Sequence, residues 1–146
     1  MRATLTDDDC TYRGDTTAAA GRFSIEVENR TFRFASFGLV ALADTATIED
    51  VDLFHERLTA RRLARSRTVP DVPPPLQSWV VGTDVEPSSS TSLPVDTSAG
   101  RYVIVCYLHS NSEERLTTDG FPRPERAYTA AQLDVTGTPS YPGVND

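Results

Sequence analysis

Four side chains in this sequence could take part in metal, redox or nucleophilic chemistry: Cys10, His55, Cys106 and His109. Cys106 and His109 form a C-x-x-H pair, in which a thiolate and an imidazole could bind one metal ion. A thiolate beside an imidazolium could also act as a nucleophile. Cys10 and Cys106 could instead form a disulfide, share a metal ion or remain free thiols, and the residues themselves leave these three states open.

The metal centre nearest to this pattern is type 1 copper, but its ligand set is incomplete. Such a site needs two histidines and one cysteine, usually with a weak axial methionine. Residues 31–42, where the upstream histidine would be expected, contain no histidine. The other histidine, His55, lies in a predicted helix, and the only methionine is Met1. The sequence therefore predicts that type 1 copper is absent.

Nucleophilic catalysis is also disfavoured. On a strand, Cys106 and His109 would point to opposite faces, because alternate residues face opposite sides of a sheet. No serine lies in a G-x-S-x-G motif, and the chain has no lysine that could form a Schiff base. We therefore predict no catalytic residues and no cofactor. The alternative is a copper or iron ion bound by Cys10, Cys106 and His109.

Size and charge narrow the class of protein further. A chain of 146 residues, 38% of them apolar, is large enough for one domain with a hydrophobic core. The net charge of −7 argues against nucleic acid as a partner, because phosphate binding needs a basic surface. No run of about 18 apolar residues is present, so we predict no membrane insertion.

The elements that must position these side chains are mostly strands. Arg22–Glu28 alternates apolar and polar residues, which predicts a half-buried strand. Phe32–Leu42 is more apolar, as a central strand would be, and Arg101–Leu108 is apolar on both faces, which is typical of a strand buried on both sides. Weaker strand patterns cover residues 3–6, 78–84, 90–95 and 128–135.

One helix interrupts the strands. Thr47 can cap it, with Asp50 in place of the usual glutamate of a capping box. Apolar residues then recur every three or four positions, at Ile48, Val51, Phe54 and Leu58. Acidic residues crowd the first turn and arginines the last, which complements the helix dipole. A proline-rich connector follows, so residues 47–76 form an insertion between strands.

Many short strands, glycine and proline turns and one helix predict an all-β fold: an antiparallel or mixed Greek-key β-sandwich with one inserted α-helix. We expect residues 1–137 to form a single domain and residues 138–146 to be a flexible C-terminal tail. Strands and helices do not alternate, which argues against a doubly wound α/β enzyme.

Four blocks of sequence resemble the cupredoxin-like domains of bacterial envelope proteins: residues 6–10, residues 20–29, a Ser/Thr-rich strand and residues 99–106. The pattern is most similar to the cupredoxin-like domain of Efe-type iron-uptake periplasmic proteins. In such domains an acidic turn and a cysteine open the chain, and a late strand contains a second cysteine. The resemblance implies a cupredoxin-like fold. It also implies acidic metal ligands in the strand after Asn29, but residues 34–39 contain no carboxylate.

The resemblance and the strand pattern together favour a disulfide between Cys10 and Cys106. The strand that leads to Cys10 and the strand that contains Cys106 could be neighbours in a sandwich. The bridge would close a loop of nearly the whole domain and stabilise it by about 4–5 kcal/mol in the chain-entropy model. A disulfide favours an extracytoplasmic location, periplasmic or secreted, with the signal peptide absent from this chain; a cytoplasmic protein with free thiols is the alternative.

The predicted function is a non-catalytic, extracytoplasmic binding or structural module. The alternative is an envelope domain that binds copper or iron for metal uptake or electron transfer. The predicted partner is a protein or small ligand, recognised by aromatic and arginine side chains of the kind that dominate binding hot spots. The candidates are Trp79, Tyr107, Phe121, Arg61, Arg62 and Arg65. Core packing is the competing role for Trp79, and dipole compensation is the competing role for the arginines.

Overall fold

Most of the described chain is strand, as its β-branched and alternating apolar residues favour. The computed structural model describes residues 1–43, 45–63, 76–109 and 126–137. Within these ranges the chain forms nine strands and one helix. In chain order they are β1 (Arg2–Leu5), β2 (Cys10–Arg13), β3 (Thr17–Ala19), β4 (Gly21–Asn29), β5 (Ala35–Leu42), α1 (Ile48–Leu63), β6 (Leu76–Val85), β7 (Ser89–Thr97), β8 (Gly100–Leu108) and β9 (Arg126–Thr136).

The strands form two mixed sheets. The order is β2-β1-β4-β7 in the four-stranded sheet and β3-β9-β8-β5-β6 in the five-stranded sheet. β1 pairs parallel with β4 and β3 pairs parallel with β9, whereas the other pairs are antiparallel. The chain crosses from the first sheet to the second between β2 and β3, where Gly14 has a φ of +132°. The predicted all-β sandwich with one inserted helix is confirmed in this architecture.

The interior between the two sheets contains the larger hydrophobic cluster, here called the interior cluster. Alternate residues of β4, β5 and β8 point into it, as the period of two along a strand requires. Its largest fully buried side chains are Leu5, Ile25, Phe37, Leu39, Leu93, Ile104, Leu108 and Leu133. Burial of each contributes roughly 1.5–3 kcal/mol, so this cluster is the main source of stability.

Helix α1 covers the outer face of the five-stranded sheet, mainly over β9. The side chains buried there form a second group, here called the helix-side cluster: Val40, Leu42, Ala46, Val51, Val103, Val105 and Tyr107. β8 is therefore buried on both faces, as its sequence predicts. Among the described residues, no helix is long and apolar enough to cross a membrane.

Two short strands and one strand boundary differ from the prediction. β2 and β3 have only four and three residues, too few for a visible alternation. β5 begins at Ala35 and not at Phe32. The reason is a turn in which Nδ2 of Asn29 donates a hydrogen bond to the carbonyl of Arg33 at 2.7 Å. Phe32 lies in this turn, and its side chain is 89% exposed. The proline-rich connector and the predicted tail lie outside the described residues.

Candidate functional site

Cys10 and Cys106 form a disulfide that joins the two sheets. Cys10 begins β2 in the four-stranded sheet, whereas Cys106 lies in β8 of the five-stranded sheet, and their Cα atoms are 6.4 Å apart. Cys106 is fully buried in the interior cluster. The predicted disulfide is confirmed, and in this state neither sulfur is a thiolate that could bind a metal ion or attack a substrate.

His109 is buried directly after β8 and contacts Ser36 of β5. Its Nε2 lies 2.7 Å from Ser36 Oγ, which in turn donates to Asp84 Oδ1 at 2.5 Å. Because the only hydroxyl proton of Ser36 goes to Asp84, Nε2 of His109 must hold a hydrogen and donate it to Ser36. The order is therefore carboxylate, hydroxyl, imidazole. In a catalytic triad the imidazole stands in the middle and accepts the hydroxyl proton, which His109 does not do here.

The proposed metal ligands are not brought together as free donors. Cys106 faces the interior, whereas His109 contacts Ser36, which lies between the inward-facing Ala35 and Phe37 and therefore points to the outer face. Ser36 lies in β5, within residues 31–42, where a type 1 copper site would have its upstream histidine ligand. Among the described residues, no group of three or more histidine, cysteine or acidic side chains could hold a metal ion. Within the described part of the chain, Cys10, Cys106 and His109 therefore do not converge as the donor set of a copper or iron site.

A second polar contact lies beneath α1, where His55 meets Tyr107. Each is 2% exposed, and Nε2 of His55 is 2.9 Å from the Tyr107 hydroxyl. Thr129 Oγ1 lies 3.5 Å from Nδ1, on the other side of the ring. Burial lowers the pKa of His55 to about 4 and raises the pKa of the Tyr107 phenol. Both groups are therefore neutral at neutral pH.

The structure describes only some of the residues of the predicted recognition surface, and the assignment of Tyr107 to that surface is wrong. Tyr107 is not at the surface: the alternation along β8 turns it under α1, against His55 and Trp79. Trp79 is half-buried and covers Gly38, which fits the packing role considered for it. Arg61 and Arg62 belong to the final turn of α1, in a stretch where the structure does not describe side chains. Phe121 and Arg65 lie outside the described residues.

Three polar residues of these contacts were not identified from the sequence: Ser36, Asp84 and Thr129. Ser36 is directly opposite Asp84 in the β5–β6 register and opposite Tyr107 in the β5–β8 register. A serine inside an otherwise apolar predicted strand was the available signal, because a buried hydroxyl needs a hydrogen-bond partner. The partner itself depends on strand pairing, which the sequence does not give.

Comparisons with known proteins return little that is specific. No protein-family model matches the chain, and no curated protein matches it. Among solved structures, it is similar to the crystal structure of sodium-dithionite-reduced auracyanin from the photosynthetic bacterium Roseiflexus castenholzii. The identity is 10% and the TM-score 0.44, over 93% of this chain and 95% of that chain. The narrower resemblance to Efe-type domains stays a prediction.

Proposed function

We propose that the chain is a non-catalytic binding or structural module that works outside the cytoplasm and has no type 1 copper site. The observation that supports this most directly is that Cys106 and His109, the two residues of the C-x-x-H pair, make separate contacts on opposite faces of the sheet. Cys106 is bonded to Cys10 in the interior, and His109 donates to Ser36 on the other side of the sheet. A copper centre of this type requires the thiolate and the imidazoles to converge on one ion.

The location follows from the same bridge. Disulfides persist in the periplasm and outside the cell, whereas glutathione and thioredoxin keep most cytoplasmic thiols reduced. The Cys10–Cys106 bond spans a sequence separation of 96 residues and ties both sheets together, so it is a structural element of this fold. This supports an extracytoplasmic protein.

The proposed contact region comprises the inserted helix and the edge strand β6. α1 ends at Leu63, close in sequence to two arginines, and β6 stands at the edge of the five-stranded sheet with Trp79 half-buried on its outer face. Tryptophan and arginine are the residues enriched at binding hot spots. The proposed partner is a protein or a small ligand, and recognition uses Trp79, Arg61 and Arg62.

Metal content and thiol content test the first part of this proposal. We expect protein purified without chelator to contain well under about 0.1 equivalents of copper or iron by mass spectrometry, because the donors do not converge. We also expect no reactive thiol after denaturation without reductant. Stoichiometric copper or iron would instead support the alternative, a metal-binding envelope domain. Two reactive thiols in protein taken from its native compartment would overturn the extracytoplasmic location.

Proximity labelling in the native host tests the second part. We expect the proteins labelled by the wild type to be lost in an Arg61→Gln/Arg62→Gln variant. The matched control is Arg13→Gln/Arg22→Gln, which removes the same charge from exposed positions on the four-stranded sheet. If the control loses the same proteins, or the helix variant loses none, α1 is not the contact region.

A further inference from the structure

The contact between Tyr107 and His55 joins an acid to a base. A buried phenol needs only a hydrogen-bond acceptor, and Tyr102 shows how this chain supplies one. Tyr102 is also buried, and its hydroxyl donates to the carbonyl of Ser98 at 2.8 Å and accepts from Thr97 at 2.7 Å. Neither of those partners can take up a proton. The imidazole that faces Tyr107 can do so.

The phenol is assigned as the donor of the Tyr107–His55 hydrogen bond. It is the stronger acid of the two neutral groups, and Thr129 Oγ1, 3.5 Å from Nδ1, can accept a hydrogen from that nitrogen. The lone pair of Nε2 then faces the phenolic hydrogen across 2.9 Å. Burial keeps the imidazole neutral at neutral pH, so this lone pair carries no proton. The same burial penalises the imidazolium, and the proton moves because one-electron oxidation makes the phenol a much stronger acid than the imidazolium.

An aromatic path leads from this pair toward the surface. The Trp79 ring is 6.0 Å from the Tyr107 ring, with the two planes inclined at 74°. Trp79 is half-buried, whereas Tyr107 and His55 are enclosed between α1 and the sheet. An oxidant that cannot enter the protein can therefore reach Trp79 before it reaches Tyr107.

We propose that Trp79, Tyr107 and His55 form a metal-free, one-electron redox site for outer-sphere one-electron oxidants. The oxidant takes one electron from Trp79, and the resulting indole radical cation takes one electron from Tyr107. The phenolic O–H bond breaks as the proton moves to Nε2 of His55. The products are a neutral Tyr107 radical, an imidazolium and the reduced oxidant. Return of one electron reverses both changes. The proposal goes beyond the binding function and does not depend on it.

The inserted helix is what completes this site. Tyr107 and Trp79 belong to the five-stranded sheet, but the base that takes the proton is on α1. Without the helix, the phenol would face water and its proton would leave only into solvent. The insertion therefore has a chemical role in this proposal, in addition to covering the helix-side cluster.

Flash-quench oxidation with a ruthenium polypyridyl photosensitiser and a sacrificial electron acceptor tests the proposal. We expect a tyrosyl radical in the wild-type electron paramagnetic resonance spectrum that is lost in Tyr107→Phe and kept in the matched variant Tyr102→Phe. His55→Gln keeps a polar side chain without a comparable base. It should slow Tyr107 oxidation by about 100-fold, the lower end of what a positioned proton acceptor contributes. Trp79→Phe should slow it as well.

A measurement on the wild-type protein keeps the test independent of how the variants fold. Exchange into deuterium oxide, followed by deuteron hyperfine spectroscopy, should detect one exchangeable hydrogen that is hydrogen-bonded to the radical oxygen, and ¹⁵N-histidine should show that this hydrogen is covalently attached to His55. A radical that Tyr107→Phe leaves unchanged would overturn the proposal. So would a Tyr107 radical without this hydrogen, or one formed at the wild-type rate in folded His55→Gln.

Discussion

At the scale of single residues, the buried His55 links the stability of this fold to pH. Its pKa falls from 6.5 in the unfolded chain to about 4 in the folded chain, because burial penalises the imidazolium. The unfolded chain therefore binds a proton below pH 6.5 that the folded chain binds only near pH 4. The contribution of His55 to stability is present above pH 6.5 and is lost as the pH falls toward 4.

We expect His55 to account for a loss of about 3 kcal/mol between pH 6.5 and pH 4. Urea unfolding at a series of pH values measures this loss. Carboxylates contribute to the same curve, so the test is the difference between the wild type and His55→Gln. The curve of the variant should be flatter by the stated amount. Parallel curves for the two proteins would show that His55 does not link stability to pH.

The Trp79 side chain restricts position 38 to glycine. A Cβ atom at this position would lie 1.5 Å from Cζ3 of Trp79, so no side chain fits beneath the indole. We expect Gly38→Ala to destabilise the protein by about 3 kcal/mol, the upper end of typical overpacking costs. Gly82→Ala is the control. Its Cβ would be 3.2 Å from the nearest atom, the carbonyl oxygen of Phe37, and should cost much less.

A double variant identifies the source of that cost. If the indole is the obstacle, Gly38→Ala should cost much less in a Trp79→Ala background than in the wild type, which a double-mutant cycle by chemical unfolding measures. Equal costs in both backgrounds would assign the effect to the backbone at Gly38 and not to Trp79.

The sequence alone was enough to predict which metal ligands are missing, because this depends only on which residue types occur at which positions. The missing histidine in residues 31–42 and the position of Met1 are visible without a structure. The hydrogen bonds of Ser36 were not predictable, because its partners are 48 and 73 residues away. Tyr107 was assigned to the surface because an aromatic residue near the end of a strand gives no sign of what covers it.

At the scale of elements, α1 shows a local signal that predicts structure well. The backbone N–H of Thr47 donates to Asp50 Oδ2 at 2.8 Å, and that of Asp50 lies 3.3 Å from Thr47 Oγ1, so the predicted capping box is confirmed. These contacts satisfy two of the N–H groups left unpaired where the helix begins. The short strands β2 and β3 are the opposite case. They are strands because neighbouring strands pair with them, and their sequences contain no comparable local signal.

We expect Thr47→Ala to destabilise α1 by about 1 kcal/mol, the usual cost of losing a threonine cap. Amide hydrogen exchange should show the loss in the first turns of α1, while protection in β8 changes less. Thr45→Ala removes an exposed threonine two residues before the cap and is the matched control. Equal exchange rates in the two variants would mean that packing against β9, and not the cap, determines where the helix begins.

At the scale of the whole molecule, the two sheets are held together by the interior cluster, by the connections of the chain and by one disulfide. β2 and β3 are consecutive in sequence but lie in different sheets, so the chain itself connects the sheets beside Cys10. The chain crosses between the sheets again at later connections, such as β3–β4 and β7–β8. The disulfide adds a cross-link between side chains, from Cys10 to β8 at the centre of the five-stranded sheet. The sequence suggested this pairing through a resemblance and a strand pattern. The sequence did not show that the two cysteines lie in different sheets, because this depends on the order in which the strands pair.

Removal of this bridge should act mainly on the unfolded chain. The bond spans a sequence separation of 96 residues, so Cys10→Ala/Cys106→Ala should lower the free energy of unfolding by about 4–5 kcal/mol. Urea unfolding measures this change, and the m value should rise because an unbridged chain exposes more surface when it unfolds. The reduced wild type should match the variant. If the variant were nearly as stable as the oxidised protein, at the same m value, the bridge would not constrain the unfolded state.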